Sequence, residues 1–249
     1  MPGRITAKDI IKQSEQGVSV RPFLVRADDN RNYFVKGLNR AGGPSLISEV
    51  IAAEIGRHLG IPIPEWKIMD VPQGLIDFSA IDNVEDLGGG PAFASLQVDN
   101  ASDLLWAHLP SIPVDLQRRV LLFDWLLLNG DRALSESGGG NVNLMLDPEG
   151  NVVVIDHNAA FERNLTHQEL VEFHVFRAQI GLHRTDLLAR LEYIPLLDAA
   201  LADWDRITSL LPDEWIFRDA DHVDETEPTL QDRLQILERF RTEQFWGQL

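Results

Sequence analysis

Apolar residues change their spacing part-way along this chain. Up to about Val98 they fall in short extended runs broken by turn residues, and beyond Ser102 they mostly follow helical spacing. Ile5–Gln13 reads as a short helix. VSVRPFLVRA, ending at Ala27, is extended, Asp28-Asp29-Asn30 is a turn, and Asn32–Leu38 is a second strand, so the pair predicts a hairpin. NRAGGP is a loop. Ser45 is the expected N-cap of a helix running to about His58, with Ile47, Val50, Ile51, Ile55 and Leu59 on its apolar face. Gly60 ends that helix, and Pro62 and Pro64 prevent its resumption. Trp66–Val71 and Ala92–Val98 read as further strands. Gln73–Gly90 shows no clear period.

Val114–Leu128 is strongly apolar and predicts a helix buried on most sides. A hairpin follows over Asn143–Asp156, turning at Pro148-Glu149-Gly150. From Gln168 onward the pattern is mainly helical, including Leu187–Leu211 and Leu230–Phe245. The acidic, proline-flanked stretch Asp213–Pro228 reads as a loop. The fold class expected is therefore α+β. Residues 1–98 form an antiparallel sheet with one helix, and residues 99–249 form a mainly helical part.

Composition narrows the partners. The 249 residues are 44% hydrophobic, as a globular chain requires, and carry a formal charge of -17. So acidic a surface repels phosphate backbones and anionic lipid, which argues against direct nucleic-acid or membrane binding. A few placed cations still suffice for a nucleotide site. Cysteine is absent, which excludes disulfides and thiolate metal sites. The opening MPGRITAKDI is polar and leads into no apolar signal segment. The longest apolar run, Val120–Leu128, is broken by Asp124 and is too short for a bilayer. The default compartment is the cytoplasm.

The candidate chemistry lies between Leu128 and Phe161. Asp131 and Asp156 each end an apolar segment, and between them lie a glycine run, Asn141, Asn143 and the hairpin. Acid and asparagine at one end of a hairpin, with a second acid at the other, suit Mg²⁺-nucleotide held against a hydroxyl. An acid after a helix C-terminus opposes the dipole, so Arg132 or a metal must compensate Asp131. Upstream, Lys36 ends an apolar strand and must reach solvent or find an anion. Glu49, one turn into the next helix, is its expected partner; Glu54 points to another side. Gly17 would let backbone amides approach phosphate, or simply make a turn. The seven histidines show no zinc spacing and read as surface or packing residues.

YFVKG (33–37), SEVIAAEIGRHLGIPIPE (48–65), FDWLLLNGDR (123–132), GNVNLML (140–146) and VVVIDHNAAF (152–161) together resemble the HipA-like kinase family. That resemblance implies a two-lobed kinase-like fold, with a nucleotide-binding N-lobe over 1–98 and a C-lobe over 99–249. It implies ATP and Mg²⁺ as cofactors and a protein Ser or Thr as acceptor. A small-molecule hydroxyl acceptor and a non-catalytic nucleotide-binding pseudokinase are the alternatives. Lys36 would contact phosphates, Glu49 would orient it, and Gln97 and Val98 would flank adenine. Asp131 would act on the acceptor hydroxyl. Asp156 and one asparagine would hold Mg²⁺, with Asn141 and Asn143 both candidates. The family usually sets that asparagine nearer the catalytic acid, so ALSESGGG is an enlarged loop.

Overall fold

The computed structural model describes residues 3–15, 20–134, 140–181 and 187–249, so Gly17 lies outside the described residues. The chain is mixed α+β and divides into two compact units. The first comprises Met1–Val50, Pro64–Asp99 and Leu211–Glu227; the second comprises Ile51–Ile63, Asn100–Leu210 and Pro228–Leu249.

The first unit is built on strands β1 (Ile5–Gln13), β2 (Phe23–Ala27), β3 (Asn32–Lys36), β4 (Trp66–Val71) and β5 (Gly90–Leu96). They close into a barrel in the order β1-β2-β3-β5-β4, not the open antiparallel sheet expected. Closure comes from a short parallel pairing, Ile5 with Met69 and Thr6 with Asp70. The expected helix at Ile5–Gln13 is a strand. Its register with β2 shifts between Ala7 and Asp9 and again between Ile10 and Lys12. Those irregularities interrupt the two-residue period, so the apolar spacing imitates a helical face. Ile5, Ala7, Ile10, Val25, Val35, Met69 and Ala94 fill the interior.

Helix α1 (Leu38–His58) starts earlier than the expected Ser45 cap. Gly42 interrupts it at φ 73° and ψ 154°, with Pro44 just beyond. Only glycine takes that conformation without a side-chain clash, and the break re-aims the axis after the first turn. Gly43 is equally constrained, since a Cβ there would lie 2.1 Å from the Trp215 carbonyl oxygen. Trp215 belongs to a stretch expected to be loop. It lies instead on the short helix Asp213–Ile216, fully buried, with its indole N–H donating to Pro91 O at 3.1 Å. A short helix α2 (Gln73–Asp77) occupies part of the unread stretch before β5.

The second unit is organised on helix α3 (Val114–Leu127), buried without interruption from Val120. Beside it lies a small antiparallel sheet of β6 (Ser102–Asp103), β7 (Leu144–Leu146) and β8 (Val152–Val154), in that order. The β7–β8 turn falls where expected, because Asp147 Oδ1 accepts the backbone N–H of Glu149 and of Asn151, closing the loop. Helix α4 (His167–Phe173) is capped by Thr166, whose hydroxyl accepts the Glu169 N–H. Helices Leu187–Ala202 and Leu230–Glu238 follow. Among the described residues, no helix is long and apolar enough to cross a membrane.

Candidate active site

In the first unit Lys36 closes β3 on the face opposite Tyr33 and Val35, away from the barrel interior, and is buried there against Glu49 of α1, 7% exposed. Its Nζ lies 2.5 Å from Glu49 Oε1, and Glu49 is 2% exposed. Glu54 takes no part in that pair; it binds Arg206 and Arg57 at the other side of the helix. Gly37, next along the chain after Lys36, lets the Leu87 peptide come close. A Cβ there would stand 1.8 Å from the Leu87 carbonyl oxygen, so no larger residue fits beside Lys36. Past the end of β5, the Gln97 N–H donates to Asn32 O at 3.0 Å, while its side-chain Oε1 is buried and accepts nothing from the described residues. Val98 is half-buried next to it.

In the second unit α3 ends in a left-handed Leu128 at φ 50°. For a branched residue that backbone costs about 1–2 kcal/mol, and neighbouring contacts must hold it. Asn129 supplies them: its N–H and its Nδ2 both donate to Asp124, each at 2.8 Å. The turn then presents Asp131. Asp131 Oδ2 accepts Asn141 Nδ2 at 2.8 Å and Asn143 Nδ2 at 3.1 Å. The compensation comes from two side-chain amides in direct contact, with the expected Arg132 charge adding to it. Both amides offer nitrogen to Asp131, so the side-chain oxygen of each is not the atom that meets it.

Burial pushes the Asp131 carboxyl above its ordinary pKa, the Asp156 charge adds to the rise, and the two amides and Arg132 work against it. The two carboxylates therefore repel one another. Asp156, two residues past the end of β8, sits at φ 56°, and Asn143 at φ 49°. The structure thus brings Asp131, Asn141 and Asn143 into direct contact, and Asp156 within electrostatic reach. Their donors are all oxygens, the set a hard cation prefers. Among the described residues no group of three His, Asp or Glu side chains stands ready for a metal. An ion here would need further oxygens from its ligand, as Mg²⁺ does when it arrives with phosphates.

Sequence reasoning missed the layer beneath. Arg132 is fully buried and turns inward, its Nε 2.7 Å from Asp124 Oδ2. His174 Nε2 lies 3.0 Å from the same oxygen, although the histidines were expected to serve on the surface or in packing. Burial works to raise the Asp124 pKa, but Arg132 and His174 overcome it and hold the carboxyl at about 2. The signal was present: Asp124 is the one acid inside the most apolar run of the chain, and a buried acid demands a partner.

The model of the HipA-like kinase family matches residues 7–249, and the chain belongs to that family. Membership gives it a kinase-type function. No curated protein sequence matches the chain. Among solved structures it is similar to the Helicobacter pylori proinflammatory kinase CtkA, at 13% identity and a TM-score of 0.44, over 94% of this chain and 93% of that one.

Proposed function

We propose that this chain is an ATP- and Mg²⁺-dependent phosphotransferase acting on a protein Ser or Thr hydroxyl, with two kinase-like lobes over 1–98 and 99–249. The reading is carried by two features of the chain: in the second unit the Asp131–Asn141–Asn143 cluster near the charge of Asp156, and in the first unit a buried Lys36–Glu49 pair. A lysine sealed from water against one carboxylate is suited to aim its ammonium at phosphate. The buried, unfilled acceptor of Gln97 suits an exocyclic amino group such as that of adenine. Asp156 with Asn143 or Asn141 would hold Mg²⁺, which supplies charge neutralisation on the phosphates.

Asp131 is the group that meets the acceptor. Its raised pKa fits a base that takes the hydroxyl proton as the acceptor oxygen bonds to the γ-phosphorus and the bond to the ADP oxygen breaks. The test is calorimetry of ATP binding with and without Mg²⁺, for wild type and Asp156→Ala, followed by radiolabelled transfer to protein. Wild type should bind more tightly with Mg²⁺ and the variant should lose that gain. Equal Mg·ATP affinity in the two proteins rejects the metal assignment, and binding without transfer to any hydroxyl selects the pseudokinase reading.

A further inference from the structure

We propose that Arg132, braced by Asp124, is a positioning residue that holds Asn143 and Asp156 in the backbone shape needed to take a divalent cation with nucleotide. The proposal rests on the kinase reading above. Arg132 spreads one guanidinium over two loops. Its Nε meets Asp124, while Nη1 donates to Asn143 O at 2.6 Å and lies 3.4 Å from Ile155 O. One of these carbonyls belongs to a candidate ligand, and the other directly precedes Asp156. Both ligand residues sit in the left-handed region, at φ 49° and 56°. Asn and Asp accept that region more readily than other side chains, and the bonds around them hold both in it. The Ile155 N–H donating to Asn143 O at 3.1 Å joins the loops, and Arg132 closes the knot from below.

Asp124 is the anchor of this arrangement. It accepts from Asn129 Nδ2, from Arg132 Nε and Nη2, and from His174 Nε2. Asn129 in turn lies 3.4 Å, through Oδ1, from the Asp131 N–H, so the same anchor reaches the backbone of the catalytic candidate. His174 Nδ1 accepts the Phe176 N–H at 3.0 Å, which places the ring proton on Nε2, toward Asp124. His174 and Arg132 together answer the charge of Asp124. Lysine cannot replace this arginine, because a single ammonium lacks the planar fork that meets a carboxylate and two carbonyls in fixed directions. A core ion pair serving stability alone would not need to end on the carbonyls that flank two ligands.

The experiment titrates Mg²⁺ against ATP binding in wild type, Arg132→Lys and His174→Gln, with melting temperatures measured in parallel. Arg132→Lys should move the Mg²⁺ midpoint upward by about tenfold or more, the usual cost of losing a residue that orients metal ligands. Its ATP affinity without Mg²⁺ should stay as in wild type. His174→Gln replaces a rigid ring, fixed at both nitrogens by Asp124 and the Phe176 N–H, with a flexible amide and keeps the ion pair, so it should shift the midpoint the same way by a smaller factor. A folded Arg132→Lys protein with the wild-type midpoint overturns the proposal. Should that variant not fold, an unmoved midpoint in His174→Gln overturns it. A wild-type protein with no Mg²⁺-dependent gain in ATP binding rejects the kinase reading itself, and the proposal with it, before any variant is compared.

Discussion

Lys36 Nζ and Glu49 Oε1 stand 2.5 Å apart with both side chains almost sealed from water. Each charge is answered by the other. Breaking a buried pair by removing one partner typically costs roughly 3–5 kcal/mol, since the survivor remains buried and uncompensated. Lys36→Met should therefore unfold at clearly lower urea than wild type, besides losing nucleotide affinity. Lys36→Met with Glu49→Leu should regain most of the stability and none of the affinity. Denaturation curves and ATP titrations on the two proteins check this, and a single variant as stable as wild type would contradict it.

Gly37 tests the same corner from the backbone. A methyl group there must displace the Leu87 peptide, which belongs to main chain and not to a flexible side chain. Gly37→Ala should cost about 1–3 kcal/mol through overpacking, and should weaken ATP binding by moving Lys36. Gly74→Ala, whose Cβ would meet open space, is the matched control and should leave both measurements near wild type.

Asp131 carries a penalty for its charge. Its pKa is raised by burial first and by Asp156 second, so the folded state holds its proton more tightly than the unfolded chain. The sign follows: between the unfolded pKa and the raised folded one, stability falls as pH rises, and the loss persists at neutral pH. Asp131→Asn, which keeps an oxygen acceptor for both amides, should melt at or above wild type at pH 7. Transfer should fall by roughly 10²–10⁴-fold with loss of the base. Retained transfer, or a marked fall in melting temperature, would refute the role.

Asp124 has the opposite sign. Its folded pKa of about 2 lies below the ordinary 3.8, so its contribution is fully present above the unfolded value. That contribution disappears as pH drops from near 4 through about 2. The difference amounts to about 2 kcal/mol. Urea unfolding of wild type should weaken over that window, and Asp124→Asn, less stable at pH 7, should show a shallower decline. Parallel acid profiles for the two proteins would exclude the buried pair as a source.

Asn143 and Asn141 divide by rigidity. Asn143 is 9% exposed, and its backbone carbonyl oxygen is gripped by Arg132, whereas Asn141 is half-buried next to the enlarged loop. Asn143→Ala should reduce Mg²⁺-dependent ATP tightening by about tenfold or more, and Asn141→Ala by less. The reverse order in calorimetry would assign the metal to Asn141.

The amino-acid sequence by itself determined whatever depends on neighbours along the chain. The Asp28–Asn30 and Asp147–Gly150 turns, the strands Trp66–Val71 and Val152–Val154, and the apolar helix from Val114 follow from local period and turn chemistry. Lys36, Asp131 and Asp156 stood out because polar groups at the ends of apolar segments must find partners, Glu49 as an acid one turn into the helix after Lys36, and Asn141 and Asn143 from their place between the two acids. Tertiary structure alone decided what hydrogen bonding across distant segments controls. Ile5–Gln13 became a strand because β2 and β4 supply its ladder, and irregular pairing hid the strand period. The barrel closed through two residue pairs that no local pattern announces. Trp215 joined the first unit from far along the chain, filling space that Gly43 leaves open. Asp124, Arg132 and His174 met because buried charges and donors must be satisfied wherever the fold brings them, and their separation along the chain gave no sign of that meeting.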